Sequence, residues 1–170
     1  MDPLLITLRL LHILSGVVWT GFAAFTSFYL VPSLADAGPD AGKIMASLQR
    51  RGLLTLLPAL ALITILSGLW LMQRVSGGSP AWFASPTAHV LSLGALFAFI
   101  AFLLGITVAR PAMMRVGVLV QGLSPTATPE ERARVMEQVA RLRLRGARSG
   151  QATALLLLLA AGCMAVARYV

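Results

Sequence analysis

Arg9-Leu10-Leu11-His12-Ile13-Leu14-Ser15-Gly16-Val17-Val18-Trp19-Thr20-Gly21 is the stretch whose reading decides the fold. It sits inside a predominantly apolar run from Leu4 to Leu34. A membrane-spanning helix needs about 20 such residues, so the run reads as a span. An imidazole inside a span is expensive, and an ionisable group there is a functional-site candidate by default. At ~100° per residue, Arg9, His12, Gly16 and Trp19 fall on one helix face. That face offers a cation, a nitrogen ligand, a bare stretch of backbone and a flat ring, the parts of a haem-binding surface.

Composition points the same way. The chain has 170 residues, 58% of them hydrophobic and only 12% charged, which is more apolar surface than a soluble domain of this length can hide. An integral membrane protein folded as one unit over residues 1–170 is expected. The net charge of +8 has no nucleic-acid-binding motif beside it, so nucleic acid is excluded as a partner; in a membrane protein such cations set orientation and meet anionic headgroups. The single cysteine, Cys163, rules out an intramolecular disulfide and any Cys-x-x-Cys motif. Ala35-Asp36-Ala37 resembles a signal-peptidase site, but the apolar run before it is too long for a signal peptide and is expected to stay uncleaved.

Four segments are long enough to cross a bilayer, over about residues 4–34, 53–72, 88–110 and 151–169. Between them lie Pro39-Asp40-Ala41-Gly42 with Arg50-Arg51-Gly52, then Ser76-Gly77-Gly78-Ser79-Pro80, then a long basic stretch from Arg110 to Gly150. The expected fold is all-α, an integral membrane antiparallel four-helix bundle with an extra amphipathic cytoplasmic helix. That extra helix covers about residues 129–147. Thr128-Pro129-Glu130-Glu131 supplies its start, with a hydroxyl N-cap, proline in the first turn and carboxylates at the positive end of the dipole. Val135, Val139 and Leu142 form its apolar stripe opposite an arginine face. It either lies along the inner membrane surface or extends the fourth helix past Gly146 and Gly150. Pro58 and Pro111 are expected to bend the second and third helices.

Orientation follows from the cations. Lys43, Arg50 and Arg51 occupy the first connection, and Arg110, Arg115, Arg132, Arg134, Arg141, Arg143, Arg145 and Arg148 the third. The second carries only Arg74. The positive-inside rule puts the first and third connections in the cytoplasm and both termini outside. Trp82 and Phe83 then suit the outer interface.

His12 and His89 are the only histidines. From His12 to Val31 is about 28 Å of helix and from His89 to Arg110 about 31 Å, so the two imidazoles are expected at similar depth near the outer side. That is the condition for axial ligation of one iron by both. Arg9, one turn outward from His12, is a candidate partner for a haem propionate, with Arg74 and Arg168 on the same side. Gly16 and Gly21 permit close approach of a macrocycle, and Trp19 can stack on it. Without a Cys-x-x-Cys-His motif the group would be haem b, bound noncovalently. Plainer readings compete: His89 as an interfacial residue, Ser15 and Gly16 with Ala23 as a helix-packing seam, and Trp19 as core. A second ligand set, Cys163, Met164 and Met72 joined with the histidines, would suit copper. No carboxylate lies within a span, which argues against hydrolysis or proton abstraction.

Leu11-His12-Ile13 followed by Trp19, Gly21 and Phe28-Tyr29-Leu30 resembles the first helix of the bacterial four-helix, haem-linked protoporphyrinogen IX oxidase family, which groups with copper-resistance protein D-like membrane proteins. Met45, Gln49-Arg50-Arg51, Pro58 and Gly68-Leu69-Trp70-Leu71 are similar to its second helix, and Thr87-Ala88-His89 to its third-helix histidine. The likeness covers roughly the first two thirds of the chain. It departs at Leu91, where the oxidases carry lysine, and at Thr87, where they carry tryptophan. The resemblance implies a haem protein of the membrane with an electron-transfer or haem-linked redox role, as a haem-dependent oxidoreductase or as a subunit working with a membrane redox partner or a second copy. A copper-handling membrane protein and a cofactor-free accessory subunit are the alternatives.

Overall fold

A computed structural model describes residues 2–38 and 41–170; Pro39 and Asp40, part of the first expected break, lie outside them. Every regular element among the described residues is helical. The order is α1 Pro3–Asp36, α2 Ala41–Arg50, α3 Leu53–Ser76, a single turn α4 Pro80–Phe83, α5 Pro86–Gln121 and α6 Pro129–Tyr169. Helices α1, α3, α5 and α6 are each long and apolar enough to cross a membrane.

The third and fourth segments run further than their apolar stretches. Helix α6 is continuous from Pro129 to Val166, 38 residues or about 57 Å, so the amphipathic stretch is its first half and not a separate surface helix. Its start is a reciprocal capping box: Glu131 N–H donates to Thr128 Oγ1 at 3.2 Å, and Thr128 N–H to Glu131 Oε2 at 2.9 Å. Gly146 and Gly150 lie within it and face neighbouring helices. A Cβ on Gly146 would lie 3.7 Å from Ala112 Cβ, and one on Gly150 3.0 Å from Ser27 Oγ.

Helix α5 likewise passes through Pro111, and α1 through Pro32. Each does so by the same device. A five-residue π segment, Thr26–Leu30 or Gly105–Ala109, ends two residues before the proline. A proline inside an α-helix lacks its donor and clashes with the carbonyl four residues back. A wider π turn shifts the carbonyls round by one residue and lets the helix continue.

Two interfaces are extensive, α1 on α3 and α5 on α6; α1 also meets α6, while α3 meets α5 over fewer residues. Both main pairs are antiparallel. Thr87 Oγ1 donates to Val170 O at 2.7 Å, Gly94 lies against Cys163, and Ser149 Oγ donates to Leu104 O at 3.4 Å, so α5 and α6 descend past each other in register. On α1 and α3, His12 lies against Gly68 and Gly16 against Thr64. Small and hydroxylated side chains fill the interior: Ala61, Ala101 and Ala154 surround Trp19 and Leu157, and Ser15, Ser27, Thr64 and Thr153 are buried. Leu14, Val17, Leu66, Leu69 and Leu159 point outward. A water-soluble fold buries its large apolar side chains; helices that associate in lipid bring small residues to the seam.

Candidate functional site

His12 is half-buried and turned onto α3. Its Nδ1–H donates to the Thr64 carbonyl at 2.8 Å, with Ser67 Oγ 3.5 Å from the same nitrogen. A carbonyl only accepts, so the proton is on Nδ1. Nε2, which makes no hydrogen bond among the described residues, keeps its lone pair available to a metal whenever the ring is neutral. A backbone carbonyl fixing one ring nitrogen is how metal-ligating histidines are usually held, because it sets tautomer and ring orientation together.

The seat for the ring is Gly68. A Cβ there would lie 2.7 Å from His12 Cε1 and 3.0 Å from Nδ1, closer than any side chain can approach. Hydroxyls extend the polar strip along the same seam. Thr64 Oγ1 donates to Ser15 Oγ or to Leu60 O, both at 2.8 Å, and Ser15 Oγ donates to Leu11 O. Gly16 lets α1 close on α3, since a Cβ there would stand 3.4 Å from Thr64 Cγ2. Gly21 has open space instead. Thr64 and Ser67 go unmarked in the sequence reading, and Gly68 appears there only within Gly68-Leu69-Trp70-Leu71; the signal for all three is a Thr-x-x-Ser-Gly run inside an otherwise apolar helix.

No protein-family model, curated protein or solved structure matches this chain. The site therefore has to be judged on its own geometry.

His89 is exposed in the first turn of α5, just after the Ser85 cap, whose Oγ accepts from Ala88 N–H at 3.2 Å. It stands about 140° round the helix from Gly94, the residue that faces α6. The helix registers put both histidines beside the last turns of α6, within about one turn, or ~5 Å, of each other in height. They are similar in depth, but one ring faces α3 and the other faces outward. Helices α1 and α5 are also a diagonal pair, each packed on α3 and α6.

Trp19 is 5% exposed and packs with Ala23, Ala61, Ala101, Ala154 and Leu157 where the four long helices meet, about 10 Å below His12 along α1. Arg9 is exposed one turn above His12. Arg168 stacks on the Tyr169 ring, 4.6 Å from its centroid. Cys163 and Met164 both lie against Gly94: its Cβ position is 3.0 Å from Cys163 Cβ and 3.4 Å from Met164 Cε. Met72 is on α3, half-buried. No group of three or more His, Cys, Asp or Glu side chains gathers among the described residues, so a site here rests on one or two nitrogen ligands or on the sulfurs.

Proposed function

We propose that the chain is an antiparallel four-helix bundle of the bacterial inner membrane that binds haem b on His12 and serves electron transfer or a haem-linked redox reaction. The carrying observation is the His12 ring seated on Gly68 with Nδ1 tied to the Thr64 carbonyl. In a membrane interior a histidine with one nitrogen fixed and the other unpartnered is costly unless something takes the second nitrogen. Bound haem supplies one-electron chemistry. The protein orients the imidazole, closes the floor with Trp19 and offers Arg9 to a propionate. His89, outward on α5, is the second candidate ligand, from the same chain or from a second copy.

The proposed orientation has both termini outside and the arginines of the α5–α6 connection against anionic headgroups in the cytoplasm. In this reading the chain works with a redox partner in the membrane, as a subunit or with a second copy, and the lack of carboxylates in its apolar stretches speaks against hydrolysis or proton abstraction.

A visible spectrum of protein produced with ample haem tests the reading. A Soret band that shifts on dithionite reduction is expected. His12→Ala should abolish it, whereas His89→Ala should leave most of the haem bound with an altered spin state. No Soret band in the wild type would overturn the haem reading. Equal loss in both variants would show that two histidines clamp one iron more tightly than their separate faces suggest. The copper reading draws on the shared seat of Cys163 and Met164 at Gly94; Cu(I) retention that disappears in Cys163→Ser, without a Soret band, would favour it. If neither ligand is retained, the accessory-subunit reading takes its place.

A further inference from the structure

A cleft of about 490 Å³ opens between the π segment of α5 and the lower half of α6, lined by Val108, Arg141, Leu144, Arg145, Arg148 and Ser149. A smaller one of about 160 Å³ adjoins it, sharing Val108 and Arg145 and adding Arg115 from α5. Arg141, Arg145 and Arg148 thus line the larger opening, and Arg115 and Arg145 the smaller one beside it. Arg141, Arg145 and Arg148 fall within about 60° on one face of α6. Only Arg141 is paired, to Glu137 at 2.6 Å on the exposed helix surface; Arg115, Arg145 and Arg148 make no ion pair among the described residues. Among the described residues, no carboxylate lines either cleft.

The cleft lies at a chemical boundary. Arg148 is the last charged residue of α6 before Arg168, and α5 has none before Arg110. Above it both helices are apolar; below it α6 is rich in arginine. Val108 and Leu144 give it apolar walls, and its polar floor, Ser149, is buried and already engaged with Leu104 O. The π segment puts Val108 and Thr107 on this wall and so shapes the opening.

We propose that this cleft is a discrete binding site for the headgroup of one anionic phospholipid. The phosphodiester would sit between Arg145 and Arg148, with Arg115 in the adjoining opening that Arg145 shares, as guanidiniums bind phosphate through paired donors. An acyl chain would leave along Val108 and Leu144. A zwitterionic headgroup is disfavoured, because its ammonium finds three uncompensated cations and no carboxylate. A long nucleic acid is excluded by the apolar walls at the upper edge. The inference rests on the membrane placement proposed above and is independent of haem.

Native mass spectrometry of the purified full chain in neutral detergent tests it, with phosphatidylglycerol and phosphatidylcholine titrated separately. One phosphatidylglycerol per chain should be retained and phosphatidylcholine should not. Arg145→Gln with Arg148→Gln should cut retention at least tenfold. Arg134→Gln with Arg143→Gln, the same charge change on the same helix but outside the cleft, should leave it unchanged. Equal loss in both pairs would replace the site by diffuse electrostatics, and equal retention of phosphatidylcholine would also overturn it. Displacement by excess inorganic phosphate would show a small-anion site in place of a lipid site. Helical circular dichroism is read on each variant; if the glutamine pair does not fold, Arg148→Gln alone is judged by the same criteria.

Discussion

Gly68 contributes no side chain, yet it decides how the His12 ring sits. A methyl at its Cβ position would meet Cε1 at 2.7 Å, and the ring has little freedom to retreat because Nδ1 is held by the Thr64 carbonyl. Gly68→Ala should therefore push the imidazole off that carbonyl while adding helix propensity to α3. Loss of an outer-shell partner of a metal ligand typically costs 10–100-fold in affinity. Haem retention in Gly68→Ala is expected to fall by roughly tenfold, with a shifted Soret band and unchanged helix content. An unshifted spectrum at full occupancy would mean that His12 does not hold the iron. At this scale the sequence was only half legible. His12 stood out because imidazoles are rare in apolar runs. Its partner did not, because a backbone carbonyl is supplied by every residue, and the Thr-x-x-Ser-Gly run from Thr64 marks a polar seam without saying which carbonyl accepts. The outward direction of His89 was equally hidden: helical rise fixes depth from sequence alone, whereas the rotation of α5 is set by what packs at Gly94 and Ala101.

Among the helices, the four that are long and apolar enough to span were readable, because runs of about 20 apolar residues mark them in the sequence. The lower ends were not. Pro111 reads as a bend just past the third span, and nothing in Gly105–Ala109 announces a π turn that carries the helix on beyond it. Pro32 repeats the arrangement after Thr26–Leu30, so the spacing of proline behind a π segment recurs in two helices that run in the same direction. As a result the lower part of α5, from Arg110 to Gln121, stays beside α6 and forms the arginine cleft with it. A cross-link checks this directly. The Cβ position of Gly146 is 3.7 Å from Ala112 Cβ, within the usual 3.5–4.5 Å range for a disulfide. In a Cys163→Ser background, Ala112→Cys with Gly146→Cys should oxidise to a closed species of altered gel mobility. A pair that stays reduced under oxidant would indicate that residues 129–147 leave α5 and lie elsewhere, as a separate surface helix would.

For the molecule as a whole, packing gathers most of the cations at one end, and the proposed orientation rests on that asymmetry. The arginines of α6 and of the lower part of α5 lie together at one end, where Ala112 meets Gly146. Thr87 and Val170 meet at the other end, joined by a hydrogen bond, with only Arg9, Arg74 and Arg168 nearby in the sequence. The positive-inside rule acts on this asymmetry, since basic residues close to a span resist transfer across the membrane. With Cys163 replaced by Ser, a single cysteine at Ser79, in the turn after α3, should react with a membrane-impermeant maleimide in intact cells. A single cysteine at Gln121, exposed at the last residue of α5, should react only after the membrane is opened. The reverse pattern would turn the molecule over, placing His12 near the cytoplasm and the arginine cleft on the outer leaflet. That outcome would overturn the proposed outer placement of His12, yet leave its seat on Gly68 intact, so orientation and ligation can fail separately.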